Sequence, residues 1–177
     1  MSLDISAYSK IKKLDAVLDE NGEAVNPETN EPIESSHWFS VWKNPEFPGR
    51  ADDIEDDAIY AYDDCTGHRT GYGGHFFWRE QLSKMAGYPI AELDMGYRKE
   101  KNHFAGALNS GGGPFYELIN FSDSEGVIGT KVSQKLLSDF KEYDAKASAI
   151  GGQFYEQFQY WKAAFEMASD NGCVRFH

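Results

Sequence analysis

Three carboxylates, Glu117, Asp123 and Glu125, fall within nine residues in the stretch Phe115-Tyr116-Glu117-Leu118-Ile119-Asn120-Phe121-Ser122-Asp123-Ser124-Glu125-Gly126-Val127-Ile128-Gly129. An apolar run leads into this polar knot, and two glycines close it. Carboxylates held together share a proton or bind a hard cation. Glu117 with Asp123 or Glu125 therefore suits a metal-dependent hydrolase or nuclease. The plainer role is local: Ser122 and Asp123 cap backbone N–H groups and the glycines complete a turn. No Gly-x-Ser-x-Gly surrounds Ser122 or Ser124, which argues against a serine-hydrolase elbow.

A second polar segment, Asp63 to His75, reads as a glycine-rich loop between a strand and a helix. Such a loop cradles an anion on backbone N–H groups. Arg69 offers a bidentate charge, Tyr72 a hydroxyl and His75 an imidazole. The glycines at 67, 71, 73 and 74 match neither the Walker A pattern nor the dinucleotide fingerprint, so a plain connection competes with this reading. Cys65-x-x-His68 with His75, and Asp63 or Asp64 as a fourth group, has the donor types of a zinc site. It is a single cluster without a second half, and no metal is expected. His37, His103 and His177 show no ligand spacing. Trp38, Trp42, Trp78 and Trp161 are candidates for stacking on a ring, although Trp161 sits in a helical stripe that suits core packing.

Composition limits the classes. The 177 residues are 41% hydrophobic and 15% aromatic, which suits one packed domain spanning 1–177. No apolar run approaches the ~20 residues that span a bilayer. No signal-like start precedes Asp4, so a cytoplasmic protein with free thiols at Cys65 and Cys173 is expected. The net charge of −12 is uneven: residues 1–64 hold sixteen acids and five bases, the remainder thirteen and twelve. That acidity repels nucleic acid, which is not expected as a partner, and attracts basic proteins or cations. The run Asp52, Asp53, Glu55, Asp56, Asp57 lacks the glycine and alternation of an EF-hand loop.

The elements that must position these groups follow from periodicity. Asp4 to Lys10 alternates as a strand, and Asn21-Gly22 between apolar pairs marks a hairpin. His37–Trp42 and Ala58–Tyr62 read as strands. Phe76–Met85 reads as a helix stopped by Gly87-Tyr88-Pro89. Ile90–Leu93 reads as one helical turn, and 106–113 as a flexible surface loop. Pro114–Asn120 reads as a short helix. Thr130 is placed to cap a helix running to about Ala149. A second helix, Gln153–Asp170, carries Phe154, Phe158, Trp161, Phe165 and Ala168 on one stripe. The Gly151-Gly152 link makes the two helices an antiparallel pair. Cys173–Phe176 is expected to return as a strand near the N-terminus. The fold class is α+β: a small antiparallel sheet from the N-terminal part, packed on a helical layer that includes two long antiparallel C-terminal helices.

Asp4-Ile5-Ser6-Ala7-Tyr8-Ser9, Asn44-Pro45-Glu46-Phe47-Pro48-Gly49-Arg50, Trp78-Arg79-Glu80-Gln81-Leu82, Glu117 through Gly129 and Ala163-Ala164-Phe165-Glu166-Met167-Ala168 together resemble a set of small uncharacterised proteins from bacteria and their phages. The resemblance covers most of the chain. It implies a single-domain intracellular protein and brings no activity, cofactor or catalytic residue with it.

Three functional expectations follow. The first is a soluble binding protein for a small polar or anionic ligand. Arg69, Tyr72 and His75 would hold it from one side, and Glu117, Ser122, Asp123 and Glu125 from the other. The second is a metal-dependent hydrolase or nuclease using Glu117, Asp123 and Glu125. The third is an acidic interaction protein binding a basic host or phage partner. No cofactor is named by the sequence, and no membrane is expected as a partner.

Overall fold

The computed structural model describes residues 2–35, 37–94, 96 and 99–177. Its centre is the strand β1 (Ser2–Ser9), which pairs antiparallel on both edges. On one side lies β7 (Asp64–Gly71). On the other lies β11 (Cys173–Phe176), itself paired with β10 (Gly126–Ile128). The sheet order is β10-β11-β1-β7. The C-terminal strand therefore returns to the N-terminal one as its sequence implied.

Alternation along β1 sets the layers. Leu3, Ile5 and Ala7 point to one face, together with Ile128, Val174 and Phe176, and enter the larger core. That core is completed by α4 (Thr130–Ile150) and α5 (Gly152–Ala168), whose stripes meet through Phe140 and Phe158 at a centroid distance of 4.8 Å. Each such buried ring contributes about 1.5–3 kcal/mol by leaving water. Gly151 takes a left-handed φ of 68° between the helices and lets the chain reverse.

The opposite face of the sheet is covered over only part of its area. Tyr8, Val127 and Cys173 join Phe39, Val41, Ile54 and Tyr60 in a smaller core. These come from β5 (Trp38–Ser40), β6 (Ile59–Ala61) and their connection, with β2 (Lys12–Lys13) completing a second sheet of order β2-β6-β5. The end of the main sheet that carries Asp4, Ser6, Gly67, Arg69 and Arg175 lies outside this second core. A hairpin of β3 (Val17–Leu18) and β4 (Ala24–Val25) turns at Asn21-Gly22. Ala24 and Val25 are buried, yet they belong to neither core.

Four segments differ from their sequence reading. Residues 64–71 are a strand rather than a loop, and α1 (Tyr72–Ala86) begins four residues earlier than the apolar pattern suggests. The strand hides from periodicity because most of its side chains are exposed. Ile90–Leu93 belongs to a strand, β8 (Ala91–Asp94), paired with β9 (Lys99–Asn102). Part of 106–113 is helix: α2 (His103–Ser110) buries Ala105 and Ala107 completely. Asn102 caps it by accepting from the Ala105 N–H, and Gly111 ends it at φ 70°. Gly106 is there for packing, because a Cβ would fall on the Pro89 carbonyl oxygen. Finally, Thr130 is no cap; its hydroxyl donates to the Gly172 carbonyl, and Gly129 holds the N-cap position. Among the described residues no helix is long and apolar enough to cross a membrane.

Candidate functional site

The polar knot is built around guanidinium groups. A short helix, α3 (Tyr116–Ile119), ends at Asn120 and leaves its last carbonyls without helical partners. Arg50 donates from Nε to the Glu117 carbonyl at 3.1 Å and from Nη2 to the Asn120 carbonyl at 2.9 Å. Arg79, on α1, donates from Nη1 to the Ile119 and Phe121 carbonyls at 3.2 and 3.0 Å. Its Nη2 reaches Asp123 at 3.4 Å, and its guanidinium lies over the Phe104 ring at 5.2 Å. Burial pushes the Arg79 pKa down to about 10, which still leaves it charged at neutral pH. Arg79 and Arg50 thus close the C-terminal end of α3, where cations are favoured.

The predicted acids are tied to separate partners. Glu117 pairs with Lys135, which also meets Asp139 at 2.8 Å and the Gly113 carbonyl at 2.7 Å. Asp139 in turn accepts from the Phe115 N–H at 2.7 Å. Ser122 accepts from the N–H groups of Ser124 and Glu125 and so forms the turn. Glu125 is exposed. Among the described residues no three His, Cys, Asp or Glu side chains gather as a metal would require. Glu117, Asp123 and Glu125 are thus not gathered into one cluster: Lys135 pairs with Glu117, Arg79 reaches Asp123, and Glu125 faces solvent.

The predicted anion loop is divided in the same way. On β7, Arg69 grips Asp4 with both ends of its fork, Nη2 to Oδ2 at 2.9 Å, and this holds the Asp4 carboxyl below its usual range. Tyr72 is half-buried against the larger core. His75 is buried, stacked near Trp78 and Trp161, with centroids 6.3 and 5.4 Å away. Burial holds its pKa well below 6.5, so it is neutral, and its Nδ1 has no hydrogen-bond partner among the described residues. His68 donates from Nε2 to Gln157 Oε1, 3.1 Å away, and stacks on Tyr160. Cys65 and His68 are an odd number of residues apart on a strand and face opposite sides. The Cys65, His68 and His75 donors are thus not assembled, and both thiols are free. Among the described residues no hydrogen bond or ion pair joins Arg69 or His75 to Glu117 or Asp123.

What does lie between Arg69 and the Glu125 turn is the uncovered end of the main sheet. Asp4 faces Arg69 across β1 and β7, and Asp4 and His177 exchange backbone hydrogen bonds at 3.0 and 2.9 Å. The next row carries Gly67, Ser6, Arg175 and Val127. Gly67 gives that row no side chain, leaving a shallow depression of about 330 Å³ beside Asp4, Ser6, Arg69 and His177. His177 also borders a smaller cavity of about 180 Å³ with Trp42, Glu125 and Arg175. Its ring meets Ser6 Oγ at 2.9 Å. Burial, then the neighbouring Arg175 charge, lower its pKa. Trp42 is 45% exposed. Arg175 is half-buried, and among the described residues it has no hydrogen-bonding or ion-pair partner.

No family model, curated protein or solved structure matches this chain. The site therefore rests on its own geometry.

The acidic third separates into two parts. In the 52–57 run, Asp53 accepts from the Lys131 N–H at the start of α4, Asp56 from the Lys43 N–H, and Glu55 from the Lys13 ammonium. These acids fasten loops. Residues 14–34 hold seven acids and no lysine or arginine, and there Val17 and Leu18 are 48% and 46% exposed.

Sequence reasoning missed Arg50, Arg79 and Arg175. Arg79 carried a signal: it falls between His75 and Leu82 on the buried stripe of α1, where a charge demands acceptors. Arg175 carried one as well, as the only ionisable side chain in the strand Cys173-Val174-Arg175-Phe176 apart from the Cys173 thiol. Arg50 follows Pro48-Gly49 and carried none.

Proposed function

We propose that this protein binds a small anion bearing a flat ring, on the open end of the main sheet between Arg69 and the Glu125 turn. The observation that carries the proposal is Arg175: a half-buried guanidinium with no acceptor among the described residues. Guanidinium stays charged in proteins and presents a planar fork of donors suited to carboxylate or phosphate. A charge drawn out of water without a partner is costly, and an arriving anion removes that cost.

The surroundings support the same ligand class. Trp42 offers an exposed indole face in the cavity Arg175 borders, and rings stack in offset or edge geometry on such a face. The Arg69 charge is already balanced by Asp4, so Arg69 frames the depression while Arg175 supplies the unbalanced charge. His177 adds a second cation only below its lowered pKa. The net charge of −12 disfavours a polyanion such as nucleic acid and leaves a local site for a small one.

Calorimetric titration with phenyl phosphate and with inorganic phosphate tests the proposal. Phenyl phosphate should bind with saturation and more tightly than phosphate. Arg175→Gln should weaken it about tenfold or more, as expected for a lost charge-assisted contact. Equal binding by Arg175→Gln, or no saturable binding of either anion, overturns it.

A further inference from the structure

We infer a second, independent site that takes a neutral, hydroxyl-bearing ring compound of the saccharide class, in the groove between α1 and the α4–α5 corner. The groove has a volume of about 560 Å³, within the ~300–1,000 Å³ range of small-ligand sites.

Its walls combine two kinds of group. Phe77, Trp78 and Phe154 supply ring faces. The Trp78 N–H is already given to the Phe154 carbonyl at 3.3 Å, so its indole acts here as an apolar wall. Gln81, Gln153 and Gln157 supply primary amides. Gln81 and Gln153 have no polar partner among the described residues. The Gln157 oxygen meets His68, which leaves the Gln157 NH₂ as donor. A primary amide both donates and accepts, as a hydroxyl does, and the C–H face of a sugar ring lies well on an aromatic ring.

Charge narrows the class. Among the described residues no lysine, arginine or histidine lines the groove. Among the described lining residues the carboxylate is Glu80, which is spent on accepting the His103 and Phe104 N–H groups at 3.2 and 2.6 Å, at the start of α2. An anion finds no counter-charge there and a cation finds no free carboxylate.

Two further features have no explanation in the fold. Phe77 is 69% exposed at the groove mouth. Gly74, in the first turn of α1, lines the groove without a conformational need for glycine: its φ is not left-handed, and an added Cβ would meet only Thr70 Oγ1, at 3.7 Å. Glycine is a poor helix former, so its presence weakens this turn. What it provides is bare backbone against which a ring can lie.

The test titrates isotopically labelled protein with maltose, cellobiose and diacetylchitobiose, followed by backbone and side-chain amide resonances. At least one saccharide should move Gly74, Phe77 and the Gln81 and Gln153 side-chain amides with saturation. Phe77→Ala should weaken binding by about tenfold or more while leaving Tm unchanged. Gly74→Ala should raise Tm and weaken binding together, a pairing that a purely structural glycine does not give. Arg175→Gln should leave saccharide binding intact, which separates this site from the anion site. No response to any of the three saccharides, or a response indifferent to both Phe77→Ala and Gly74→Ala, overturns the inference.

Discussion

Arg79 decides more of this structure than any acid near it. Its side chain is 5% exposed and Asp123 is 50% exposed, so the ion pair itself is solvent-screened and contributes little. The weight lies in the Ile119 and Phe121 carbonyls, which lose their donor if the guanidinium is removed. Arg79→Met should destabilise by about 3 kcal/mol, whereas Asp123→Asn should cost less than about 1 kcal/mol. Urea denaturation of the two variants checks the contrast, and equal losses would refute the assignment. His75 makes a second residue-level prediction. Its folded pKa lies well below 6.5, so the unfolded chain takes up a proton that the folded chain refuses. Stability from this group is complete above pH 6.5 and is lost as pH falls toward the folded value. His75→Phe should reduce the slope of stability between about pH 7 and about pH 5, by up to roughly 1.4 kcal/mol per pH unit. An unchanged slope would mean that His75 takes up its proton alike in the folded and unfolded chain, and would overturn the assignment. These groups explain why the acids were legible and their partners were not. Three carboxylates close in sequence attract notice, while Lys135, Arg79 and Arg50 reach them or their backbone from 18, 44 and 67 residues away.

At the scale of elements, strong stripes read correctly. The α4–α5 pair, the return of β11 to β1 and the Asn21-Gly22 hairpin all follow from periodicity and turn chemistry. The elements that escaped are those whose pattern serves something other than one-sided burial. β7 is largely exposed, and β8 with β9 forms a ribbon of alternating exposed and half-buried residues. α2 is written Phe-Ala-Gly-Ala-Leu, which resembles a loop until its close approach to Pro89 is seen. That approach gives an element-level prediction. Gly106→Ala should destabilise by about 2 kcal/mol or more, because backbone rather than a flexible side chain stands in the way. A helix-propensity argument gives the opposite sign, a gain of about 1 kcal/mol. Thermal denaturation of this one variant separates the two.

The whole molecule is a main sheet carrying a helical core on one face and a smaller β core on part of the other. The acidic lobe at 14–34 adds to neither. Replacing residues 16–33 by a short glycine-serine linker should therefore leave the fold intact, with a loss below about 1 kcal/mol. Circular dichroism during thermal denaturation measures it, and collapse of the transition would mean the lobe supports the cores. The candidate anion site was legible only in outline. The sequence pointed to a ligand held between the Arg69 loop and the Glu117–Glu125 segment, whereas strand pairing places β11 between Arg69 and Glu125 and so brings in Arg175. The central claim is that Arg175 and Trp42 receive an anion carrying a ring. The most direct measurement is the ¹H–¹⁵N spectrum of the protein titrated with phenyl phosphate, watching the Trp42 indole N–H and the Arg175 side-chain signals. Both should shift together and saturate, with the Trp38, Trp78 and Trp161 indole signals unmoved. Saturable binding that leaves Trp42 and Arg175 unmoved would contradict the account.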